Sequence, residues 1–255
     1  MQVKVVRWMP DGDRLASYDS LGKLIIWRNR ANVLAYELSI KTSLLFTDIQ
    51  WSPCGYYIFL CGREGHVQSF STVTGLNLFS IQVEATRSGN KKAEFTCCAW
   101  NRPGTRVALG TENGEVVIID PSDNGRSVST ICMHKGISVQ SLEWYGPVTM
   151  CKRNGVPYES QCLSAYLKNG DVMFFESLFH SDVHCNKTGV VDGTAVWNSG
   201  FSLMAVIGYK KSNRRPIAKF LNNRGYAVFT LKDGLPSIPH ERVSTSMWLR
   251  LYSER

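Results

Sequence analysis

The amino-acid sequence predicts an all-β protein built from repeated four-stranded units. Three observations support this prediction: a recurring tryptophan, glycines at fixed distances after it, and short apolar runs separated by tight turns. Apolar residues at helical spacing are absent over any useful length, whereas short β-branched and aromatic runs are frequent. The fold class therefore follows from repetition rather than from a single motif.

Five tryptophans mark the copies of the repeat, and they recur every 43 to 53 residues. In the first three copies a glycine follows four residues after the tryptophan, and a second glycine follows fourteen residues after it. We interpret the tryptophans as packing residues at equivalent strand ends that bury large areas between neighbouring units. They are Trp8, Trp51, Trp100, Trp144 and Trp197.

Each copy is interpreted as four strands. An apolar run ends at the tryptophan, a Pro/Gly turn follows, and a tight turn joins the second and third runs. In Glu112-Asn113-Gly114-Glu115 and Lys168-Asn169-Gly170-Asp171, Asn-Gly is expected to supply the positive φ angles of a two-residue hairpin. A weaker fourth run closes the copy. Four strands in about 40–45 residues is the period of a WD40-type β-propeller blade.

Two copies depart from the pattern. In the fourth copy the tryptophan and the second glycine are further apart, and the extra residues are predicted to form a Gly/Pro-bearing loop over 145–160. In the fifth copy a basic stretch, 209–216, replaces the tight turn. About five blades are recognisable over residues 3–235, and 236–255 is assigned to a C-terminal tail. Because propellers usually close with about seven blades, we expect an incomplete ring and interpret the chain as part of a longer product.

Composition and charge narrow the function. The 255 residues carry a formal net charge of +8, from 29 basic and 21 acidic side chains. No apolar run approaches the roughly 18 residues of a membrane span. The first residues lack the features of a signal peptide, so the eight cysteines are expected to be reduced and the protein cytoplasmic.

Motifs of catalysis and cofactor binding are missing from the sequence. It contains no phosphate-binding glycine loop, no G-x-S-x-G elbow and no H-E-x-x-H motif. The nearest approach to a metal cluster, His180-Ser181-Asp182-Val183-His184-Cys185, lacks the paired cysteines of a structural zinc site and is expected to be a solvated loop. We therefore predict a protein that is not an enzyme and has no cofactor, metal or small-molecule substrate.

The loops supply the candidate binding residues. In a propeller, the turns between second and third strands and the links into the next blade project from one face, and loops on a rigid framework commonly bind partners. The residues predicted for this face are Arg63, Glu64, His66, Lys91, Lys92, Glu112, Glu115, Lys168 and Asp171.

The basic loop of the fifth copy is a second candidate. It could contact RNA, an anionic membrane surface or an acidic partner. Aromatic residues do not interleave with its charges as in a base-stacking platform, so nucleic-acid binding is the weaker alternative. Its residues are Lys210, Lys211, Arg214 and Arg215.

The order of these blocks resembles the N-terminal propeller shared by WD-repeat tubby-like proteins and the WD-repeat 35 subunit of intraflagellar transport complex A. Val5-Val6-Arg7-Trp8 with the following 14–19 resembles the family's second blade, and 110–120 resembles its fourth. The block 143–170 is closer to the transport subunit, whereas 218–231 is closer to the tubby-like proteins. The match runs from about residue 3 to 235.

The resemblance implies two functions that the residues do not separate. A tubby-like propeller would help a cullin-type ubiquitin ligase choose its substrates. A complex A subunit would act in ciliary retrograde transport and cilium assembly, at the cilium or its base. The partners implied are other proteins, namely ubiquitin-ligase or ciliary transport subunits. The Trp-Asp dipeptide of regular WD repeats is replaced here by Ile26-Trp27-Arg28.

Overall fold

The computed structural model describes residues 2–31, 33–83, 94–123, 126–132, 136–153, 156–175, 183–198, 200–222, 227–232 and 235–237. These residues form antiparallel sheets in which the strands are hydrogen-bonded in chain order. The sheets are the five blades of a β-propeller, as the repeat predicts. Four sheets have four strands, and the fifth sheet has five.

The strand bounds follow the repeat closely. The first sheet contains β1 (Val3–Trp8), β2 (Arg14–Asp19), β3 (Lys23–Arg30) and β4 (Val33–Lys41). The second contains β5 (Phe46–Trp51), β6 (Tyr57–Gly62), β7 (His66–Ser71) and β8 (Asn77–Gln82). The third contains β9 (Phe95–Trp100), β10 (Val107–Thr111), β11 (Glu115–Asp120) and β12 (Arg126–Cys132).

The last two sheets are the fourth and fifth blades. The fourth contains β13 (Val139–Arg153), β14 (Val156–Leu167), β15 (Asp171–Phe175) and β16 (Val183–Lys187). The fifth contains β17 (Val190–Trp197), β18 (Leu203–Lys210), β19 (Pro216–Asn222), β20 (Ala227–Lys232) and β21 (Leu235–Ser237). The short β21 pairs with β20 and extends the last sheet to Ser237, past residue 235, where the propeller was expected to end.

The extra residues of the fourth copy form a long hairpin, so the prediction of a loop over 145–160 is wrong. Strands β13 and β14 remain paired from Thr149 opposite Ser160 to Arg153 opposite Val156. The ladder of the hairpin satisfies backbone groups that an irregular loop would leave to water. A register shift between Tyr145 and Thr149 accommodates the Gly-Pro pair that had indicated a loop.

The fourth strand of the fourth sheet was also missed. Residues 183–187 form β16, which pairs antiparallel with β15 from Asp171 opposite Lys187 to Phe175 opposite Val183. The prediction of a solvated loop is therefore wrong for this part of 180–185, and residues 180–182 lie outside the described residues. The few apolar residues of β16 left no alternating pattern from which a strand could be predicted.

The turns between second and third strands need glycine because another segment passes over them. Gly114 and Gly170 adopt φ of 81° and 89°, but Asn113 and Asn169 do not take positive φ, so the expected pair of positive angles is wrong. A Cβ at Gly170 would lie 2.3 Å from the carbonyl oxygen of Val190, the first residue of β17, where the link enters the next sheet. The repeat glycine thus permits both a left-handed turn and close passage of the link.

The hydrophobic core is divided among the junctions between consecutive sheets. The described residues form four buried clusters, one at each of the four junctions. No comparable packing joins β17 to β1 within the described strands. The five blades therefore form an open arc, in agreement with the expected incomplete ring.

Hydrogen bonds between sheets fix the relative direction of their first strands. Near their ends, the indole N–H of Trp51 donates to the carbonyl of Arg7 at 2.9 Å. Near their beginnings, the hydroxyl of Thr47 donates to the carbonyl of Phe95 at 2.7 Å. In neighbouring sheets the end of one first strand lies beside the end of the next, and the beginning lies beside the beginning. The first strands therefore run parallel, and equivalent turns lie on one side of the propeller.

Candidate protein-interaction surfaces

One side of the propeller carries the links between sheets and the turns between their second and third strands, and we call this side the link face. Backbone hydrogen bonds tie each link to its turn. The N–H groups of Thr42 and Val83 donate to the carbonyls of Gly22 and Gly65, each at 2.8 Å. In the fourth sheet the N–H of Thr188 donates to the carbonyl of Gly170 at 3.2 Å. These bonds hold each link at the same position relative to its turn in the three blades.

Buried tyrosines reinforce this arrangement in two sheets. The hydroxyl of Tyr18 donates to the carbonyl of Leu44 at 3.2 Å, and that of Tyr166 donates to the carbonyl of Val190 at 2.8 Å. Burial raises the pKa of the Tyr166 phenol above its ordinary value. Each tyrosine comes from a second strand. Tyr18 holds the link into the second sheet, and Tyr166 holds the first residue of β17, where the link enters the fifth sheet.

The structure separates the residues predicted for the link face into two groups. Side chains at the turn tips are exposed, and His66 is half-buried. Glu115 and Asp171 are only 6% and 7% exposed because they begin third strands inside the sheets. Lys91 and Lys92 lie outside the described residues. The exposed tips are Arg63, Glu64, Glu112 and Lys168.

The basic loop lies between β18 and β19, where the tight turn stands in the other blades, so it also belongs to the link face. All four of its cations are exposed. Arg214 forms an ion pair with Asp192, and its guanidinium lies 5.5 Å from the centre of the Tyr209 ring. The backbone N–H of Lys211 donates to the carbonyl of Gly189 at 3.0 Å. The ion pair neutralises part of the positive charge that suggested an anionic partner.

The repeat tryptophans do not share one environment. Trp51, Trp144 and Trp197 are buried at junctions, with 4 to 6% of their surface exposed. The indole N–H of Trp144 donates to the carbonyl of Ala99 at 2.9 Å, matching the bond of Trp51. Trp8 is 52% exposed because no described sheet covers its side of the first blade. The packing role expected of all five tryptophans therefore does not extend to Trp8.

Trp100 lines a groove that the sequence did not predict. The groove has a volume of about 420 Å³ and lies between the second and third sheets, on the side opposite the link face. The indole N–H of Trp100 is buried without an acceptor among the described residues. The spacing of Pro53 and Pro103 indicated only turns, so nothing in the sequence showed that the two turns converge here. Other lining residues are Tyr57, Leu78, Phe79 and Pro121.

The central channel contains an ion pair between a half-exposed arginine and a buried aspartate. It has a volume of about 240 Å³ and lies between the first strands of the first four sheets. The guanidinium of Arg7 lies 2.8 Å from Oδ1 of Asp48, and Oδ2 accepts the backbone N–H of Cys98 at 3.1 Å. Burial raises the pKa of Asp48, and the charge of Arg7 opposes this shift only in part. Both oxygens have protein donors, so the carboxylate serves to join three sheets.

The described residues show little further chemistry. Burial raises the pKa of the Cys97 and Cys98 thiols, which keeps them protonated and poorly nucleophilic. No group of three or more His, Cys, Asp or Glu side chains that could hold a metal occurs in the described ranges. No helix within those ranges has the length and apolar character that crossing a membrane would require.

Comparison with known proteins gives distant relatives over most of the chain. Tubby-related protein 4 of Homo sapiens and that of Mus musculus are each 21% identical over 263 residues, which is 90% of this chain and 16% of the relative. WD repeat-containing protein 35 of Homo sapiens is 21% identical over 255 residues, which is 96% of this chain and 20% of the relative.

The chain is weakly homologous to both. This confirms the resemblance inferred from the order of the blocks. The chain spans only 16 to 20% of the length of these curated relatives. No family model matches the sequence.

Proposed function

We propose that this chain is a non-catalytic protein-interaction scaffold that binds partners through its link face. The observation that carries the proposal is the set of backbone hydrogen bonds between links and turns, which repeats in several blades. This frame presents exposed side chains of both charge signs at the turn tips. A fixed framework with variable exposed tips suits recognition of other proteins. Distant homology to a WD repeat protein and to a tubby-related protein supports the same class.

In this proposal the propeller selects substrates for a cullin-type ubiquitin ligase in the cytoplasm, as its resemblance to tubby-like propellers implies. The alternative is a subunit of intraflagellar transport complex A that acts at the cilium. Both roles use the propeller to bind protein, and they differ in the fate of the bound partner. A ligase substrate accumulates when the chain is removed, whereas a transport subunit is recovered with other ciliary transport proteins.

Proximity labelling in cells tests the link face. We would compare the wild-type chain with a variant that carries Arg63→Ala, Glu64→Ala, Glu112→Ala and Lys168→Ala. A matched control carries Asp13→Ala and Arg102→Ala, exposed residues on the opposite side. We expect the link-face variant to lose a discrete set of labelled proteins that the control retains. Identical labelling by all three proteins would overturn the proposal.

The fate of the labelled partners separates the two roles. Ubiquitylation and accumulation of a lost partner after depletion of the chain would support substrate selection. Recovery of ciliary transport subunits, with no change in partner abundance, would support the complex A alternative.

RNA binding through the basic loop is the weaker alternative, and salt titration tests it. Lys210, Lys211 and Arg215 are exposed, but Arg214 is already paired with a carboxylate. Because binding to phosphates weakens steeply with salt, affinity for random-sequence RNA should be measured from low to physiological salt. We expect no binding that depends on the loop. Steep salt dependence that disappears in a Lys210→Ala, Lys211→Ala, Arg215→Ala variant would favour RNA instead.

A further inference from the structure

Exposed positive charge gathers on the link face at the boundary between the fourth and fifth blades. Lys168 belongs to the turn of the fourth blade, and Lys187 is the last residue of β16. The basic loop of the fifth blade adds two lysines and an arginine. All of these side chains are exposed, and we call them the basic cluster: Lys168, Lys187, Lys210, Lys211 and Arg215.

Backbone hydrogen bonds hold the two turns of the basic cluster together. Only Thr188 and Gly189 link β16 to β17. The N–H of Thr188 donates to the carbonyl of Gly170 in the turn of the fourth blade, at 3.2 Å. The carbonyl of Gly189 accepts the N–H of Lys211 in the basic loop, at 3.0 Å. One short link is thus bonded to both turns, so an anionic group that binds here needs to order only side chains.

The two carboxylates next to the basic cluster are already occupied. Asp171 lies opposite Lys187 in the β15–β16 pair, is 7% exposed, and accepts a hydrogen bond from Asn169 at 2.7 Å. Asp192 is paired with Arg214. Within the described residues, no member of the basic cluster forms an ion pair. Because like charges held together repel one another, a bound anionic group would relieve this repulsion.

We propose that the basic cluster binds a short acidic segment of a partner protein. This inference rests on the proposed function and names the chemistry of the partner. A short segment fits better than an extended polyanion, because the link face of the third blade exposes Glu94 and Glu112, whose backbones are hydrogen-bonded at 2.9 Å. RNA or an anionic membrane lying across the link face would place phosphates beside these carboxylates. An acidic segment of a protein can end at the basic cluster.

Binding of a labelled peptide to the whole chain tests the proposal. The probe contains about six consecutive glutamates between Gly-Ser flanks, and the comparison peptide has glutamines in their place. We expect fluorescence anisotropy to show binding of the glutamate peptide alone. Its affinity should fall as salt is raised from low to physiological concentration, because ion pairs at the surface are screened.

Paired substitutions show whether both blades contribute. Lys168→Gln with Lys187→Gln removes lysine charge from the fourth blade, and Lys210→Gln with Lys211→Gln removes it from the fifth. Each pair should weaken binding of the glutamate peptide by about three- to tenfold, the size expected for the loss of two exposed ion pairs.

The matched control removes the same charge away from the basic cluster. It carries Lys4→Gln and Lys41→Gln, which alter exposed lysines of the first blade, and it should bind the peptide like the wild type. Circular dichroism checks that every variant is folded.

Four results would overturn the proposal. The first two are equal binding of the two peptides and equal weakening by the control. The third is weakening by only one of the two lysine pairs, since the basic cluster spans both blades. The fourth is tighter binding, lost in the same variants, of random-sequence RNA or of vesicles of phosphatidylcholine and phosphatidylserine in equal parts.

The peptide assay can fail independently of the proposed function. If the link-face variant loses its labelled proteins while the wild type binds no acidic peptide, the link face binds partners by other contacts, and only the present inference fails. If the peptide binds as expected while labelling in cells is unchanged, the basic cluster has the stated chemistry and the proposed function fails.

Discussion

Trp51 and Trp8 hold the same position in successive repeats but have opposite surroundings. Trp51 is 4% exposed, is packed between two sheets, and donates its indole N–H to a backbone carbonyl. Trp8 is 52% exposed on a face that no described sheet covers. The repeat therefore determines which residues can form a junction, while the presence of a neighbouring sheet determines whether burial stabilises the fold.

The largest expected effect comes from truncating the two tryptophans. Trp51→Ala removes a buried aromatic ring and its hydrogen bond, so we expect a loss of about 3–5 kcal/mol in the free energy of unfolding. Trp8→Ala should cost below about 1 kcal/mol, since its ring is already half in water. Urea denaturation at dilute concentration measures both. Equal losses would show that a sheet covers Trp8 in solution.

A glycine pair extends the comparison to the turns. A Cβ at Gly65 would lie 2.2 Å from the carbonyl oxygen of Val83, whereas one at Gly12 meets nothing within 4 Å. Both residues have positive φ, so alanine at either site incurs about 1–2 kcal/mol of backbone strain. Gly65→Ala must also displace the link, and it should cost at least about 1 kcal/mol more than Gly12→Ala. Similar midpoints in urea for the two variants would mean that the link yields freely.

Replacing the indole by a phenyl ring compares bonded and unbonded junction tryptophans. Trp144→Phe removes the indole N–H that the buried carbonyl of Ala99 accepts. We expect this to lower the free energy of unfolding by about 1–3 kcal/mol, in addition to the cost of the smaller ring. Trp100→Phe removes a buried N–H that has no acceptor in the described structure, so its cost should be smaller. Matched denaturation curves of the two variants give the difference. A larger loss for Trp100→Phe would place an unseen acceptor beside that ring.

The smallest expected change in stability comes from Glu143, at the junction between the fourth and fifth sheets, and it depends on pH. The backbone N–H of Trp197 donates to Oε2 of Glu143 at 3.2 Å, while burial raises the pKa of this carboxyl above 4.5. An acid with a raised pKa in the folded state loses stabilisation as the pH rises through that pKa. Glu143→Gln keeps an acceptor without a charge, so it should be slightly more stable than the wild type at neutral pH. This gain should vanish below pH 4.5, and a gain independent of pH would contradict the assignment to ionisation.

Most of the framework was predictable because tryptophan, glycine and turn residues recur at fixed distances. Each of them reports a local requirement, such as a left-handed turn or a strand end. The long hairpin after Trp144 was not predictable, because Gly146 and Pro147 indicate a loop unless the pairing of the flanking strands is known. Strand β16 was missed because it carries few apolar residues, and only its pairing with β15 in the structure identifies it as a strand.

The candidate site was less predictable than the fold. The turn positions placed Arg63 and Lys168 correctly at exposed tips, since a tip is defined by its neighbours in the chain. Burial of Glu115 and Asp171 depends on packing between sheets, which a single sequence does not report. The groove beside Trp100 depends on two turns from different sheets meeting, and that is a relation between distant parts of the chain.

The division of the core into four junction clusters has a consequence for how the protein unfolds. Each blade is stabilised by its own hydrogen bonds and mainly by contact with its neighbours, so cooperativity passes chiefly between adjacent units. Within the described strands, the second, third and fourth blades have two neighbours each, whereas the first and fifth have one. Unfolding should therefore begin at the two terminal blades and move inward, leaving the third blade with the slowest amide exchange. A sheet bound to either end would slow exchange throughout the molecule by removing a starting point.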